Sequence, residues 1–187
     1  MNLILASASP RRSELLVSAG IPFTIRISRV EERHLPGEDA WQYVKRLAEA
    51  KARTIESAPG EVVLGADTVV VVDDYILEKP ADDADAARML RLLSGRRHQV
   101  ITGICLRGAS RIVVDSETTE VRFVPLSEAE ISDYVKTGEP MDKAGGYAIQ
   151  GLASKFVDRV EGCYFNVVGL PVALVYQKLK EFERMHG

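Results

Sequence analysis

Residues 62–72 read VVLGADTVVVV. This β-branched apolar run predicts a strand that is buried on both faces of a sheet. Asp67 lies in its middle, and a buried carboxylate is costly unless a cation, a metal or several hydrogen-bond donors compensate it. The small residues Gly65 and Ala66 would let a ligand or another backbone segment come close. Asp67 is therefore a candidate site residue. Alternatively it caps a bend or accepts backbone amides, and the run alone does not decide between the two.

A strand, a tight turn and a helix start are predicted at residues 3–12, which read LILASASPRR. Ser9 fits the N-cap and Pro10 the first helical position. Backbone amides at a helix N-terminus attract anions, and arginine is shaped for two-pronged phosphate contacts. Arg11 and Arg12 therefore predict a phosphate site at this turn. The alternative is that both arginines are solvated surface residues.

Two lysines are candidate site residues if their side chains point into a cleft. A helix is predicted from the N-cap Asp39 to about Ser57, and Lys51 falls within its apolar stripe. Such a lysine either extends its ammonium outward to water or points into a cleft that needs a positive charge. Lys79 precedes Pro80, which favours an extended backbone and so constrains its direction.

The remaining patterns predict further helices and strands. No repeat, linker or composition shift marks a domain boundary, so we expect one domain over residues 1–187, whose halves could form two lobes. The capping box SEAE at 127–130 opens one helix. The predicted helices are 83–94, 127–138 and 171–182, and the predicted strands are 23–27, 99–106 and 111–123.

Composition narrows the class of protein. Hydrophobic residues at 46% and charged residues at 27% are typical of a globular protein, and a net charge of −3 gives no reason to expect a nucleic-acid or membrane partner. Cys105 and Cys163 are too few and too far apart for a disulfide framework or a zinc site, which predicts a cytoplasmic location. No segment has the roughly 20 apolar residues of a membrane span. His34, His98 and His186 lack the spacing of metal ligands.

The candidate site residues are of two kinds. The basic ones could hold phosphates, and the acidic ones could hold a divalent cation such as Mg²⁺ or Mn²⁺ through oxygen ligands. The sequence contains neither a P-loop nor a dinucleotide-binding glycine pattern, and no Ser/His/Asp set stands out. What remains is metal-assisted hydrolysis of a phosphoanhydride, with water as nucleophile and a carboxylate as base. The basic residues are Arg11, Arg12, Lys51 and Lys79, and the acidic residues are Glu31, Glu32 and Asp67.

Four motifs occur in a specific order: SASPRR at 7–12, GADTV at 65–69, KP at 79–80 and DKAGGYAIQG at 142–151. Each is weak alone, but the ordered set resembles the Maf (septum-formation inhibitor) family of nucleoside triphosphate pyrophosphatases. The resemblance implies a mixed α/β fold related to the inosine triphosphatases: a twisted sheet flanked by helices, with two lobes around a deep cleft. It also implies a homodimer that cleaves a nucleotide between the α and β phosphates.

The resemblance assigns roles residue by residue. Asp67 matches the general base, while Arg12, Thr68 and Gln150 match the positions that separate a dTTP/UTP branch from the others, including one that acts on 7-methyl-GTP. We favour Glu32 over Glu31 as a metal ligand beside Asp67. Asp67 would either ligate the metal, act as the free base or orient a metal-bound water. The predicted substrate-binding residues are Ser7, Arg11, Arg12, Lys51, Thr68, Lys79 and Gln150.

Two other functions stay open at this point. One is a nucleotide-sensing regulator of cell division that binds without turnover. The other is a nucleic-acid binder that uses a basic patch of four arginines, although aromatic residues at 6% offer little stacking surface. The exact pyrimidine substrate, the metal and the dimer surface do not follow from the sequence. The four arginines are Arg88, Arg91, Arg96 and Arg97.

Overall fold

The computed structural model describes residues 2–184, so His186 lies outside the described residues. The predicted mixed α/β fold is confirmed: helices flank a sheet of seven strands. The strand order is 2-1-3-5-6-7, and strand 4 pairs with strand 3. The strands are β1 (Asn2–Leu5), β2 (Phe23–Ile25), β3 (Glu61–Val72), β4 (Tyr75–Leu77), β5 (Arg97–Arg107), β6 (Ile112–Phe123) and β7 (Val157–Glu161).

The helices occupy the segments between the strands and the C-terminal part of the described chain. Three short 3₁₀ turns, Glu139–Asp142, Ala144–Gly146 and Leu152–Phe156, connect α4 to β7. Within residues 2–184, no helix combines the length and the apolar character needed to cross a bilayer. The α-helices are α1 (Pro10–Ser18), α2 (Ala40–Arg53), α3 (Asp83–Leu93), α4 (Glu128–Val135), α5 (Tyr164–Val168) and α6 (Val172–Arg184).

The chain divides into two compact units, and the predicted single domain over residues 1–187 stays a prediction. Within its described part, the first unit comprises residues 2–67, 102–117 and 169–184. The second comprises Thr68–Ile101 and Thr118–Val168. The boundary on β3 falls directly after Asp67.

In the first unit, β1 pairs in parallel with both β2 and β3. Helix α2 packs very close to β3, since a Cβ atom on Gly65 would overlap the Ala48 carbonyl oxygen and lie 2.9 Å from the Ala52 nitrogen. Gly103 on β5 has the same relation to the Val44 carbonyl group. The small residues before Asp67 thus let another backbone segment come close, which is one of the two predicted uses.

In the second unit, β3 pairs antiparallel with β4, and β6 pairs antiparallel with β7. An aromatic cluster fills its core: the rings of His98 and Tyr147 both meet Phe123 edge to face, and Tyr134 meets Phe156 in the same way. Burial lowers the pKa of His98 to about 3, so the ring is neutral at physiological pH.

Most predicted elements are confirmed with changed ends. The strand at 62–72 is β3, and both bonds of the predicted capping box are present at Ser127. Ser9 is the N-cap of α1, but its side chain makes no capping hydrogen bond. Helix α2 ends at Arg53 rather than Ser57, because the Thr54 hydroxyl donates to the Lys51 carbonyl and closes the last turn. Strand β2 ends at 25 rather than 27.

Candidate active site

A cluster of charged side chains surrounds the middle of β3 in the first unit. Lys51 Nζ donates to Asp67 Oδ1 at 2.6 Å and lies 2.6 Å from Glu32 Oε1. Lys51 and Asp67 are buried, with 8% and 6% exposure, while the Glu32 side chain is 42% exposed. Lys51 therefore points inward to a place that needs a positive charge, and the alternative in which it extends to water is wrong.

Local structure explains why Lys51 reaches Asp67. The start of α2 is fixed by a capping box in which the Asp39 carboxylate accepts from Gln42 N and the Gln42 side chain accepts from Asp39 N. Because Gly65 lets the backbone of α2 touch β3, the Lys51 side chain spans the distance to a residue two positions further along that strand. A larger residue at 65 would force the helix and the strand apart.

Arg12, on the first turn of α1, is held by three acceptors. Its Nε donates to the Gly169 carbonyl at 2.9 Å, and its Nη1 donates to the Ala66 carbonyl at 2.9 Å and to Ser7 Oγ at 3.3 Å. The Ser7 oxygen also accepts from Ser9 N at 3.1 Å. This network fixes the guanidinium next to the residue that precedes Asp67.

The charges in this cluster shift one another's pKa values. Burial raises the pKa of Asp67, and nearby Glu32 adds to the rise, while Lys51 and Arg12 oppose it. Burial likewise lowers the pKa of Arg12, against the attraction of Asp67 and Glu32. A guanidinium nevertheless keeps its proton in proteins. Asp67 is thus a carboxylate with increased proton affinity, kept beside two cations.

Glu32 and Asp67 form a donor set that fits a cation shared with a substrate. Both offer hard oxygen atoms, and both already bind one positive charge, the Lys51 ammonium. Across residues 2–184, no group of three or more histidine, cysteine or acidic side chains could hold a metal ion. Mg²⁺ commonly binds through one or two carboxylates plus substrate phosphates rather than in an all-protein cage. Two carboxylates meet that requirement.

The structure brings five predicted site residues together: Ser7, Arg12, Glu32, Lys51 and Asp67. The half-buried Arg11 follows Pro10 at the start of α1, and its like charge lowers the pKa of Arg12.

The three other predicted residues belong to the second unit. Thr68 is half-buried on β3, Lys79 is exposed after β4, and Gln150 is exposed in a turn closed by a hydrogen bond from Gly151 N to the Ala148 carbonyl at 3.0 Å. Their roles stay predictions.

Two contacts were missed by the sequence analysis. The Gly169 carbonyl holds Arg12 from a distance of 157 residues, and the only local signal is a glycine, with φ +128°. Glu139 binds the backbone just after Gln150, through hydrogen bonds from Leu152 N at 3.1 Å to both carboxylate oxygens. Here the signal was Gly151, since a glycine often marks a place where another group approaches closely.

The basic patch offers little support for nucleic-acid binding. Each of its arginines is already paired with an acidic side chain of the same unit, so the positive charge of the patch is largely balanced. The pairs are Arg88 with Asp85, Arg91 with Glu128, Arg96 with Asp73 and Arg97 with Glu120.

Comparison with protein families gives a match over nearly the whole chain. The family described as Maf-like protein matches residues 2–182. A dTTP/UTP pyrophosphatase of Koribacter versatilis is 56% identical over 181 residues, which cover 96% of this chain and 94% of that protein. A dTTP/UTP pyrophosphatase of Symbiobacterium thermophilum is 51% identical over 181 residues, covering 96% and 93%.

Two solved structures are more distantly similar. The Staphylococcus aureus Ham1 protein matches with a TM-score of 0.45 and 17% identity, covering 66% of this chain and 72% of that one. A nucleoside-triphosphatase, or dITP/XTP pyrophosphatase, of Mycobacterium abscessus matches with a TM-score of 0.43 and 16% identity, covering 67% and 76%.

Proposed function

We propose that this chain, which belongs to the Maf-like protein family, is a nucleoside triphosphate pyrophosphatase that hydrolyses dTTP and UTP to the monophosphate and pyrophosphate. The observation that carries the proposal is the cluster in which Lys51 contacts both Glu32 and Asp67 beside Arg12. The choice of nucleotide is supported by the names of relatives that are 50–56% identical over almost their full length.

Arg12 and Lys51 bind the triphosphate. Arg12 is held in place before substrate arrives, so little conformational entropy is lost when it binds a phosphate. An ammonium group has three donors, and Lys51 uses two of them on Glu32 and Asp67. The third can donate to a phosphate oxygen. Arg11 adds positive charge at the same helix start, where the backbone amides of α1 also favour an anion.

Asp67 accepts the proton of the attacking water. The water oxygen bonds to the α-phosphorus, the bond from that phosphorus to the bridging oxygen breaks, and pyrophosphate leaves. Burial raises the proton affinity of the Asp67 carboxylate, which favours this transfer, while Lys51 keeps the carboxylate ionised before it. Lys51 is thus both a phosphate ligand and the partner that keeps the base charged.

Glu32 would hold Mg²⁺ or Mn²⁺ together with the substrate phosphates, and Asp67 would be a further ligand through the carboxylate oxygen that does not take the proton. When bound, the cation neutralises part of the triphosphate charge and polarises a phosphoryl oxygen. Mg²⁺ or Mn²⁺ is therefore the cofactor of this proposal.

Thr68 and Gln150 recognise the pyrimidine base. An amide side chain can donate and accept at once, which suits the edge of a base, and a site that leaves such groups unpaired rejects the wrong base strongly. Lys79 contributes a further positive charge to phosphate binding. The homodimer and the cytoplasmic location belong to the same proposal and rest on the family resemblance and on cysteine use.

A substrate panel tests the function. The purified full-length protein is given dTTP, UTP, dCTP, ATP and 7-methyl-GTP with Mg²⁺, and the products are identified. We expect dTTP and UTP to release pyrophosphate and a monophosphate faster than the other three nucleotides. Release from 7-methyl-GTP alone would overturn the proposed substrate, and binding of dTTP without release of pyrophosphate would favour the regulator instead.

A further inference from the structure

We propose that Glu139 is a positioning residue that determines which base Gln150 accepts. It does so by holding backbone amides on both sides of Gln150, directly at Leu152 and through Tyr134 at Ala148. The inference rests on the proposed function and deepens it. It concerns the second unit alone, where all these residues lie.

Glu139 holds the residue that follows the Gln150 turn. Each of its two carboxylate oxygens accepts from Leu152 N at 3.1 Å. Its Oε1 also accepts from the Tyr134 hydroxyl at 2.8 Å. The single N–H of Leu152 is thus shared between the two oxygens in a three-centre hydrogen bond, which holds this amide against the carboxylate.

Tyr134 extends the same network to the residue before the turn. Its hydroxyl oxygen accepts from Ala148 N at 3.2 Å while its proton goes to Glu139. Burial and nearby Glu139 raise the pKa of Tyr134, so the phenol keeps the proton that it donates. Ala148 and Leu152 lie two residues to either side of Gln150, and one carboxylate therefore fixes both ends of the turn. We call Glu139 and Tyr134 the clamp.

The segment is anchored further by its own neighbours, and Gln150 is its exposed polar residue, beside the exposed Leu152. Ile149 is buried, and the Tyr147 hydroxyl lies 2.8 Å from His98 Nε2 in the aromatic core. Gln150 is exposed, and its amide has no protein partner within the described residues 2–184. An unpaired amide on a fixed backbone is suited to bind a ligand that offers both a donor and an acceptor.

Gly151 shows how closely the clamp fits. A Cβ atom at this position would overlap both carboxylate oxygens of Glu139. The backbone of Gly151 is extended, with φ −103°, so glycine is needed here for space rather than for an unusual conformation. The position of the Glu139 carboxylate therefore requires a glycine at residue 151.

A fixed Gln150 can select a base by the distance between the sugar and the hydrogen-bonding edge of that base. The hydrogen-bonding edge of a purine lies further from its sugar than that of a pyrimidine. An amide held in one place can pair with one of these edges but not with both. A Gln150 that is free to shift would bind dTTP less tightly and accept dATP more readily.

The test compares Glu139→Ala and Glu139→Gln with the control Asp133→Asn, an exposed carboxylate on α4 that pairs only with Lys136 in the described chain. We expect Glu139→Ala to raise KM for dTTP about tenfold with kcat nearly unchanged, and to lower the preference for dTTP over dATP by a similar factor. Glu139→Gln keeps one acceptor oxygen, so its KM for dTTP and its preference for dTTP over dATP should lie between those of Glu139→Ala and the wild type. The control should match the wild type.

A double-variant cycle separates positioning from a general loss of structure. In a Gln150→Ala background, Glu139→Ala should change the preference for dTTP over dATP no further. Gly151→Ala should reduce that preference in the wild type but add little to Glu139→Ala, because the clashing carboxylate is then absent. Hydrogen exchange at Ala148 and Leu152 should become faster in Glu139→Ala.

The outcomes distinguish this inference from the proposed function. If the wild type releases no pyrophosphate from dTTP or UTP, both are wrong. If the wild type is active and Glu139→Ala keeps the preference for dTTP over dATP, only the role of Glu139 is wrong, even if the variant is less stable.

Discussion

Asp67 in the first unit and Glu139 in the second are both carboxylates, but they bind different kinds of partner. Asp67 is buried and faces a charged lysine, with an arginine nearby. Glu139 is half-buried and binds neutral donors, a tyrosine hydroxyl and a backbone amide. The negative charge of Asp67 is balanced by neighbouring cations, whereas Glu139 fixes the position of neutral groups by hydrogen bonds.

The difference predicts how each site responds to the loss of one charge. Replacing a carboxylate by its amide keeps the shape and removes the charge, so it should damage the Asp67 site far more than the Glu139 clamp. The predictions below test this contrast, beginning with the largest effect.

Asp67→Asn should lower kcat for dTTP by about a thousandfold, because an amide cannot accept a proton from the attacking water. The fold should persist, since the amide oxygen can still accept from Lys51. Pyrophosphate release and circular dichroism measure the two properties. The control Asp115→Asn changes a carboxylate of the same unit that pairs with Lys178, and it should leave kcat unchanged. An Asp67→Asn protein within tenfold of wild-type kcat would contradict the role of Asp67 as base.

Lys51→Met should lower kcat/KM about a hundredfold and reduce the free energy of unfolding by about 3 kcal/mol at pH 8, because it leaves a buried charge without its partner. The control Lys178→Met removes a lysine that also bridges two carboxylates, Asp115 and Glu181, and should cost far less because the Asp115 and Glu181 side chains are 39% and 48% exposed. Urea unfolding measures both variants.

The loss of stability in Lys51→Met should shrink as the pH falls. Burial already raises the pKa of Asp67 in the folded chain, and removal of Lys51 takes away a contact that lowers it. The folded chain then binds more protons than the unfolded one above about pH 4, so acid favours the folded state. Adding Asp67→Asn to Lys51→Met should restore stability at pH 8. A deficit that is equal at pH 5 and pH 8 would show that charge is not its cause.

Glu32→Gln should raise the Mg²⁺ concentration needed for half-maximal activity about tenfold, since one of two protein oxygens is weakened as a ligand. The neighbouring Glu31→Gln is the matched control and should behave as the wild type. Titration of pyrophosphate release with Mg²⁺ decides between them. If only Glu31→Gln shifts the requirement, the metal ligand is Glu31 and the contact of Glu32 with Lys51 serves structure alone.

The sequence predicts those features that depend on near neighbours in the chain. The β-branched run of β3, the N-cap at Asp39 and the capping box at Ser127 are local patterns, and all are confirmed. The family resemblance is confirmed by the match over residues 2–182. Strand β7 was missed because it lies at the sheet edge with charged side chains, and α5 because five residues carry too little periodicity.

The features that the sequence did not predict depend on contacts between residues that are far apart in the chain. Periodicity places Lys51 in an apolar stripe but cannot say where its ammonium goes, which depends on how closely α2 approaches β3 at Gly65. The role of Glu139 could not be predicted either. It depends on the path by which residues 140–151 return the chain to its carboxylate, and that path contains two short 3₁₀ turns rather than a regular α-helix or strand.

The smallest expected effect comes from the clamp. Tyr134→Phe removes only a hydroxyl group, so it should lower the free energy of unfolding by about 1 kcal/mol. Leu152 N keeps its acceptor on Glu139, whereas Ala148 N loses the hydroxyl, so hydrogen exchange should become faster at Ala148 more than at Leu152. The control Tyr75→Phe, on an exposed ring, should change neither property. Equal acceleration at both amides would mean that Glu139 cannot hold its side of the turn without Tyr134. Asp67 and Glu139 would then differ only in how strongly each carboxylate binds its partners. They would not differ in whether the charge or the position of the carboxylate matters.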